Sequence, residues 1–217
     1  MALTLFGYRY SIYTRIVRLV LYEKHLRATL VEVDPFAEGR DPSYLSLHPF
    51  GRVPVLTHGP FTLYETAVIC RYLDEALPGP PLQPDDARDR ARMGQVIQTA
   101  DAYGYLPMVR GVYEHLVFRP AEGSIADRDV ALRGLAQAGP VLDALEKVAA
   151  EGRILTTATL TLADLHLAAI IDAFTAAPEG AALLQARPAL CNWWGWMSAR
   201  PALSATAPGL PVRPLES

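Results

Sequence analysis

Gly51-Arg52-Val53-Pro54-Val55-Leu56, followed after a short turn by Phe61-Thr62-Leu63-Tyr64-Glu65-Thr66, decides how the fold is read, because it sets a proline at the mouth of a strand. Pro54 has no N–H to give to a sheet ladder, so it belongs at an edge, at a bulge or at the first position of a strand. Two readings follow. With a cis Val53-Pro54 bond the backbone N–H and C=O of Val53 face outward and can pair with an extended peptide; with a trans bond the segment is an edge strand that merely begins with proline. The next residues favour the first. Phe61 to Tyr64 runs directly into Glu65-Thr66 and then Ala67, Ile69, Cys70, Tyr72, Leu73 and Leu77 at helical spacing, so Glu65 and Thr66 open a helix. A helix start offers unpaired N–H groups and the positive end of a dipole, which suits a carboxylate, with the Thr66 hydroxyl as a further donor. The plain alternative is an ordinary N-cap. Strand-mouth proline, hairpin and polar helix start together suggest a site for a small extended peptide with a free carboxylate.

Working outward, Leu3-Thr4-Leu5-Phe6 alternates and stops at Gly7, a short strand, and Ile12 to Leu26 places Ile12, Ile16, Leu19, Val20 and Tyr22-Glu23 at helical spacing. Thr29 to Val33 reads as a second strand and Pro42 to Leu47 as a short helical turn. Val53 to Thr57 with Phe61 to Tyr64 reads as a hairpin, and Thr66 to Leu77 as a helix. The order is βαβαββα, a mixed sheet with helices on its faces. Leu77-Pro78-Gly79-Pro80-Pro81-Leu82-Gln83-Pro84 then forbids both helix and central strand, and marks a linker. Beyond it the periodicity is helical over about Asp86 to Phe118, Ile125 to Ala150, Leu162 to Thr175 and Arg187 to Ala199. The expected division is an α/β domain over residues 1–77, a linker over 78–85 and an all-α helical bundle over 86–217.

The chain has 217 residues, 51% of them hydrophobic, enough for one large domain or two small ones, each with its own core. A formal net charge of −3 leaves no basic excess for nucleic acid or anionic lipid, so neither partner is expected. The start, Met1-Ala2-Leu3-Thr4-Leu5-Phe6, lacks the pattern of a signal peptide, and no later run approaches a membrane span; the expectation is a cytoplasmic protein. Cys70 and Cys191 lie in apolar helical patterns and read as buried thiols, not a disulfide. His25, His48, His58, His115 and His166 show no ligand spacing, and no phosphate-cradling loop, HExxH or GxSxG occurs, so no metal is expected.

Thr161-Leu162-Ala163-Asp164 precedes an apolar run and fits a capping box, a structural role. Trp193, Trp194 and Trp196 read as packing of the last helix, with ligand stacking as the lesser alternative.

The Xaa-Pro strand start in Gly51 to Leu56, Glu65-Thr66 opening a helix that ends in Arg71-Tyr72-Leu73, the proline linker, Thr161 to Asp164 in a helical second domain, and Arg187-Pro188 to Ala199-Arg200-Pro201 occur in the order seen in one family. The chain resembles a cytosolic glutathione S-transferase, of the serine-type, bacterial or phi-like kind. The resemblance covers nearly the whole chain and implies a thioredoxin-like first domain with cis Pro54, an all-helical second domain, glutathione as co-substrate, a role in detoxification, and a homodimer.

Residue by residue, the resemblance implies that Glu65 and Thr66 take the γ-glutamyl carboxylate and amine and that the main chain of Val53 takes the cysteinyl backbone. Arg40 or Arg52, with His48 nearby, takes the glycine carboxylate. Ser11, where the first strand hands over to the first helix in Gly7-Tyr8-Arg9-Tyr10-Ser11-Ile12-Tyr13-Thr14-Arg15, donates to the thiolate. The flanking Tyr8, Tyr10 and Tyr13 are rival hydroxyls, and the other reading of Ser11 is a helix cap. Thr66 stands where serine is more usual and His48 where asparagine is common. Tyr10 and Tyr13, with Tyr105, Met108 and Tyr113 on the first helix after the linker, are expected to line an apolar electrophile pocket, or else to be plain interhelical core. The leading expectation is conjugation of glutathione to a small electrophile. The alternatives are a catalytically weak glutathione- or protein-binding regulator and a glutathione-dependent isomerase or reductase; a reductase needs a cysteine where Ser11 stands.

Overall fold

The computed structural model describes residues 2–37 and 42–211. The chain forms two compact units, one of Met1–Leu82 with Pro201–Pro208 and a second built on Gln83–Arg200. The first unit holds four strands, Leu3–Gly7 (β1), Thr29–Glu32 (β2), Val55–His58 (β3) and Phe61–Tyr64 (β4). Its helices are Ile12–Glu23 (α1), Pro42–Leu47 (α2) and Thr66–Ala76 (α3), giving the βαβαββα order. The strands lie in the order β2-β1-β3-β4, with β1 parallel to β2 and antiparallel to β3, and β3 antiparallel to β4. This is the mixed, thioredoxin-like sheet.

Alternation is clearest in β1. Leu3 and Leu5 of β1 are buried while Thr4 and Phe6 are partly exposed, and Val55 and Leu56 complete the core from β3. Ile16, Val17, Leu19 and Val20 of α1 and Ile69 and Leu73 of α3 are buried, and the two helices pack together. The register sets Phe6 opposite Val55 and Val55 opposite Tyr64. The end of β1, the start of β3 and the end of β4 therefore meet at one end of the sheet.

Several boundaries differ from the periodicity, two of them for a clear local reason. α1 stops at Glu23, before Leu26, because His25 takes a left-handed φ of 57° and the N–H of Leu26 returns to the carbonyl of Leu21 at 2.8 Å. β3 begins at Val55, after Val53, since Pro54 has no N–H for the ladder. The linker is also tied down at its start. Lys24, only 2% exposed, donates from Nζ to Asp74 Oδ1 at 2.9 Å and to the Pro80 carbonyl at 3.1 Å, and Asp74 Oδ1 accepts the Leu82 N–H at 3.0 Å.

In the second unit Ala87–Thr99 (α4) is capped by Asp86, whose side chain accepts from Arg88 and Asp89. The expected single helix to Phe118 instead widens into π-helical turns over Ala100–Gly104 and Leu106–Phe118, and closes with Arg119–Glu122 (α5). Pro107 sits inside this stretch without an N–H to give. Arg128–Ala150 (α6) starts after Asp127, later than Ile125, because Asp127 accepts from Asp129 and Val130. A Cβ on Gly134 would stand 2.6 Å from the Pro107 carbonyl, so glycine there lets α6 approach the π-helical stretch. Leu162–Thr175 (α7) is buried on nearly every side, packed against α4, the π-helical stretch, Pro178–Gln185 (α8) and Pro188–Ser198 (α9).

Residues 86–217 were expected to be wholly helical bundle, but Pro201–Thr206 (α10) packs on α1 and belongs with the first unit. Sequence periodicity does not reveal this, because α8 and α10 are too short to show which face is buried. Among the described residues no helix is long and apolar enough to cross a membrane.

Candidate functional site

Three segments leave the same end of the sheet, and each carries residues singled out by the sequence. The first runs from β1 to α1. Ser11 is the N-cap of α1: its Oγ accepts the Thr14 N–H at 3.2 Å and its carbonyl accepts the Arg15 N–H at 3.0 Å. The capping reading of Ser11 is therefore present in the structure, but that bond uses only a lone pair of Oγ and leaves the O–H proton able to donate. The preceding loop is clamped from below. Thr14 Oγ1, buried, accepts the Tyr8 N–H at 3.3 Å, and the Ser11 N–H donates to the Tyr8 carbonyl at 2.9 Å. A Cβ on Gly7 would overlap the Thr14 side chain, with Oγ1 at 2.8 Å. Tyr8 packs edge-on against Tyr10 and Phe36, and the Arg9 guanidinium lies 5.0 Å from the centre of the Tyr10 ring.

The second segment enters β3. The Val53-Pro54 bond is cis, the first of the two readings of this stretch; Pro54 is buried and Val53 half-buried. Arg52 is exposed, and its carbonyl accepts the Tyr44 hydroxyl at 2.7 Å. Burial pushes the Tyr44 phenol up to about 12, so it stays a donor at any physiological pH.

The third segment joins β4 to α3. Glu65 is the exposed N-cap of α3, with φ 72° and ψ 115°, a backbone conformation non-glycine residues rarely take, and its side chain makes no capping bond. Thr66 is buried at the first helical position. The first turn of α3 thus carries its N–H groups and dipole without a side-chain cap from Glu65.

His48 supports this corner from within. It is 3% exposed, its ring stacks on Tyr64 at 4.7 Å, and Nδ1 accepts the Phe50 N–H at 3.3 Å. Burial lowers its pKa, against the pull of Glu65 and with the push of Arg52, so the neutral imidazole is favoured. Arg40 lies outside the described residues.

The expected electrophile-pocket residues fall on both units. Tyr10 and Tyr13 flank Ser11, both half-buried. In the second unit Tyr105 is half-exposed and Tyr113 packs against Phe118 at 6.1 Å, while Met108 is fully buried, the core alternative that its spacing left open. Cys70 lies in α3 and Cys191 in α9, so neither supplies the thiol at the start of α1 that a reductase needs.

The Thr161–Asp164 capping box read from the sequence is present, but its bond to Trp193 and a second polar cluster were not legible. Asp164, fully buried, accepts the Thr161 N–H and O–H on Oδ2, each at 2.6 Å, and the Trp193 indole N–H on Oδ1 at 2.7 Å. The Lys24–Asp74 pair is the second. Nothing local signals either the Trp193 bond or the Lys24–Asp74 pair.

The fold defines a thioredoxin-like unit joined to an all-helical unit. Residues 5–81 match the family model described as glutathione S-transferase, N-terminal domain, and residues 109–201 match glutathione S-transferase, C-terminal domain. The chain is 31% identical over 217 residues to glutathione S-transferase F13 of Arabidopsis thaliana, covering 99% of each. It is 31% identical over 201 residues to glutathione S-transferase 3 of Zea mays, covering 91% of this chain and 90% of that one. A solved glutathione S-transferase III in apo form superposes with a TM-score of 0.84 at 31% identity over 100% of both chains. Glutathione transferase F7 of Populus trichocarpa does so with a TM-score of 0.81 at 27% identity, over 97% of this chain and 100% of that one. The chain belongs to the glutathione S-transferase family.

Proposed function

We propose that the protein is a glutathione transferase that binds glutathione on the first unit, holds its thiol as thiolate with the Ser11 hydroxyl, and adds it to a small, mostly apolar electrophile. The observation that carries this reading is the strand register. With Phe6 opposite Val55 and Val55 opposite Tyr64, the segments that carry Ser11, Val53 and Glu65-Thr66 leave the same end of one sheet. The Val53 main chain takes the cysteinyl backbone, and Glu65, Thr66 and the α3 N-terminus take the γ-glutamyl amine and carboxylate. Arg52, or Arg40, takes the glycine carboxylate, with neutral His48 packed behind Tyr64 as support.

Magnitudes favour a hydroxyl donor over a nucleophilic serine. A thiol that titrates near pH 8.5 becomes mainly thiolate at neutral pH after a shift of about two units, or roughly 2.7 kcal/mol. A hydrogen bond to a charged group contributes about 1.5–3 kcal/mol and a helix N-terminus about 0.3–1. Together they suffice. The thiolate then attacks the electrophilic carbon, a C–S bond forms, and the displaced group leaves or the adduct takes a proton from water.

Tyr10, Tyr13, Tyr105 and Tyr113 are the candidates for contact with the electrophile, and Met108 is core of the second unit. We further read the protein as a cytoplasmic homodimer with a detoxifying role that needs no metal. Support for the dimer comes from Tyr103 and Leu106, exposed on the π-helical stretch at 68% and 65%. The deciding experiment is retention on immobilised glutathione followed by conjugation assays across several electrophile classes. Retention with no conjugation of any electrophile would make the chain a glutathione-binding regulator, and no retention would remove glutathione from the reading.

A further inference from the structure

Arg15 is 4% exposed, a depth at which arginine is rare unless it has a structural or electrostatic task. Its main chain and side chain serve two elements at once. The Arg15 N–H closes the first turn of α1 on the Ser11 carbonyl at 3.0 Å, one residue after Thr14 closes the same turn on Ser11 Oγ. Its guanidinium Nη2 donates to the Leu203 carbonyl of α10 at 3.0 Å, a bond buried at both ends and spanning 188 positions of sequence. α10 is thereby fixed to the turn that carries Ser11, and its Ala202, Leu203 and Thr206 are all buried. Arg18, one turn further along α1, has its pKa lowered by burial first and by the neighbouring Arg15 charge second.

We propose that Arg15 is a positioning residue for thiol activation: anchored on the Leu203 carbonyl, it holds the first turn of α1 and with it the orientation of the Ser11 hydroxyl, so that the end of the chain contributes to the thiolate site. The proposal rests on the reading of Ser11 as thiolate donor. A charged donor buried against a carbonyl has one geometry, and the turn closed by its own N–H inherits it. A hydroxyl that must point its proton at a sulfur depends on that geometry more than glutathione binding does, because binding draws on Val53, Glu65 and Thr66 as well.

The test is ultraviolet titration of the bound glutathione thiolate, together with kcat, KM and thermal midpoint, for Arg15→Gln, Arg15→Lys and Leu203→Ala, and for Arg15→Gln in a Ser11→Ala background. Arg15→Gln is expected to raise the bound thiol pKa by about half to one unit, a loss of roughly 3- to 10-fold in thiolate and in kcat at neutral pH, with KM within about 3-fold. Arg15→Lys, which keeps a cationic donor, recovers part of the loss. Leu203→Ala, which loosens the seat of α10, shifts the pKa in the same direction. In the Ser11→Ala background Arg15→Gln has no further effect on the thiol. If folded Arg15→Gln and Leu203→Ala both titrate like the parent, whatever their midpoints, Arg15 is merely structural and the proposal fails. Should Arg15→Gln not fold, Leu203→Ala decides alone by the same criterion. A parent protein that binds glutathione without any thiolate band contradicts the proposed function, and this proposal with it. A parent with the band and unmoved variants contradicts the Arg15 role alone.

Discussion

The indole N–H of Trp193 donates to Asp164 Oδ1 at 2.7 Å, tying the middle of α9 to the first turn of α7 through a carboxylate with no solvent exposure. α7 is the buried centre of the helical unit, so this bond holds its start in place from outside the helix. Trp193→Phe keeps most of the packing and removes the donor, leaving a buried carboxylate oxygen unpaired. The expected cost is about 1–3 kcal/mol in denaturant unfolding. A change below about 0.5 kcal/mol would mean that packing alone secures α9.

Burial raises the Asp164 pKa to about 6, outweighing the four hydrogen bonds, from the Thr161 hydroxyl, the Trp193 indole and the Thr161 and Asp164 N–H groups, that pull it down. The unfolded chain releases this proton near the ordinary carboxylate value of 3.8, so between that pH and about 6 the folded state holds more protons than the unfolded one. The Asp164 contribution to stability is therefore full below 3.8 and is lost as pH rises through about 6. The parent should show a fall on the order of 2–3 kcal/mol across this window that Asp164→Asn lacks, whatever the absolute stability of the variant. Parallel stability-versus-pH curves for the two proteins would refute the assignment.

Lys24→Met should destabilise the first unit by about 3–5 kcal/mol, because it strands the Asp74 carboxylate in a site where both side chains are 1% and 6% exposed. The loss appears in the urea midpoint. Limited proteolysis should also cut the chain near Pro80, whose carbonyl loses its partner. An unchanged midpoint would show that Asp74 is compensated by the Leu82 N–H without the lysine.

Ser11→Ala should leave glutathione binding within a few fold, raise the bound thiol pKa and lower turnover at neutral pH by roughly 10- to 1,000-fold, since about 1.5–3 kcal/mol of thiolate stabilisation is removed. The deficit should narrow as pH rises. Loss of the cap bond to Thr14 adds about 1 kcal/mol of instability. If the thiol pKa stays that of the parent in this variant while Tyr8→Phe or Tyr13→Phe raises it, the donor is a tyrosine.

Gly7→Ala puts a methyl group against the Thr14 side chain, which also holds the Tyr8 N–H, so the loop before Ser11 must shift. The expected cost is about 1–3 kcal/mol of stability together with reduced conjugation. Gly7→Ala combined with Thr14→Ser, which removes the overlapping methyl and keeps the hydroxyl, should recover part of both. No recovery would locate the damage elsewhere.

Much of the architecture is legible in residue order. The βαβαββα series, the proline linker and the Leu162–Thr175 helix follow from alternation, 3.6-residue spacing and residues that cannot continue a helix or strand. The family resemblance rests on the same stretches and is borne out by the matches over residues 5–81 and 109–201. Boundaries moved where side chains compete with periodicity. Asp127 captures two N–H groups and starts α6 there, and His25 turns left-handed and ends α1. The widening of the helix after Thr99 was not legible, since the apolar spacing of Ala100 to Phe118 serves a π-helical ladder as well as an α-helical one.

By itself the sequence marked three local features: a serine at a strand-to-helix junction, a proline before a strand, and a polar pair opening a helix. These are local properties, set by backbone rules that act over a few residues. Tertiary structure alone decided that the three segments share one end of the sheet, through the pairing of Phe6 with Val55 and of Val55 with Tyr64. It alone set Arg15 against Leu203, Lys24 against Asp74 and Asp164 against Trp193. Each of these pairs is a buried polar group meeting its partner across 50, 188 or 29 positions of chain, and burial makes an unmet partner costly enough that packing must supply one. No local pattern encodes that meeting, because it is fixed only when the apolar faces of distant elements close on one another.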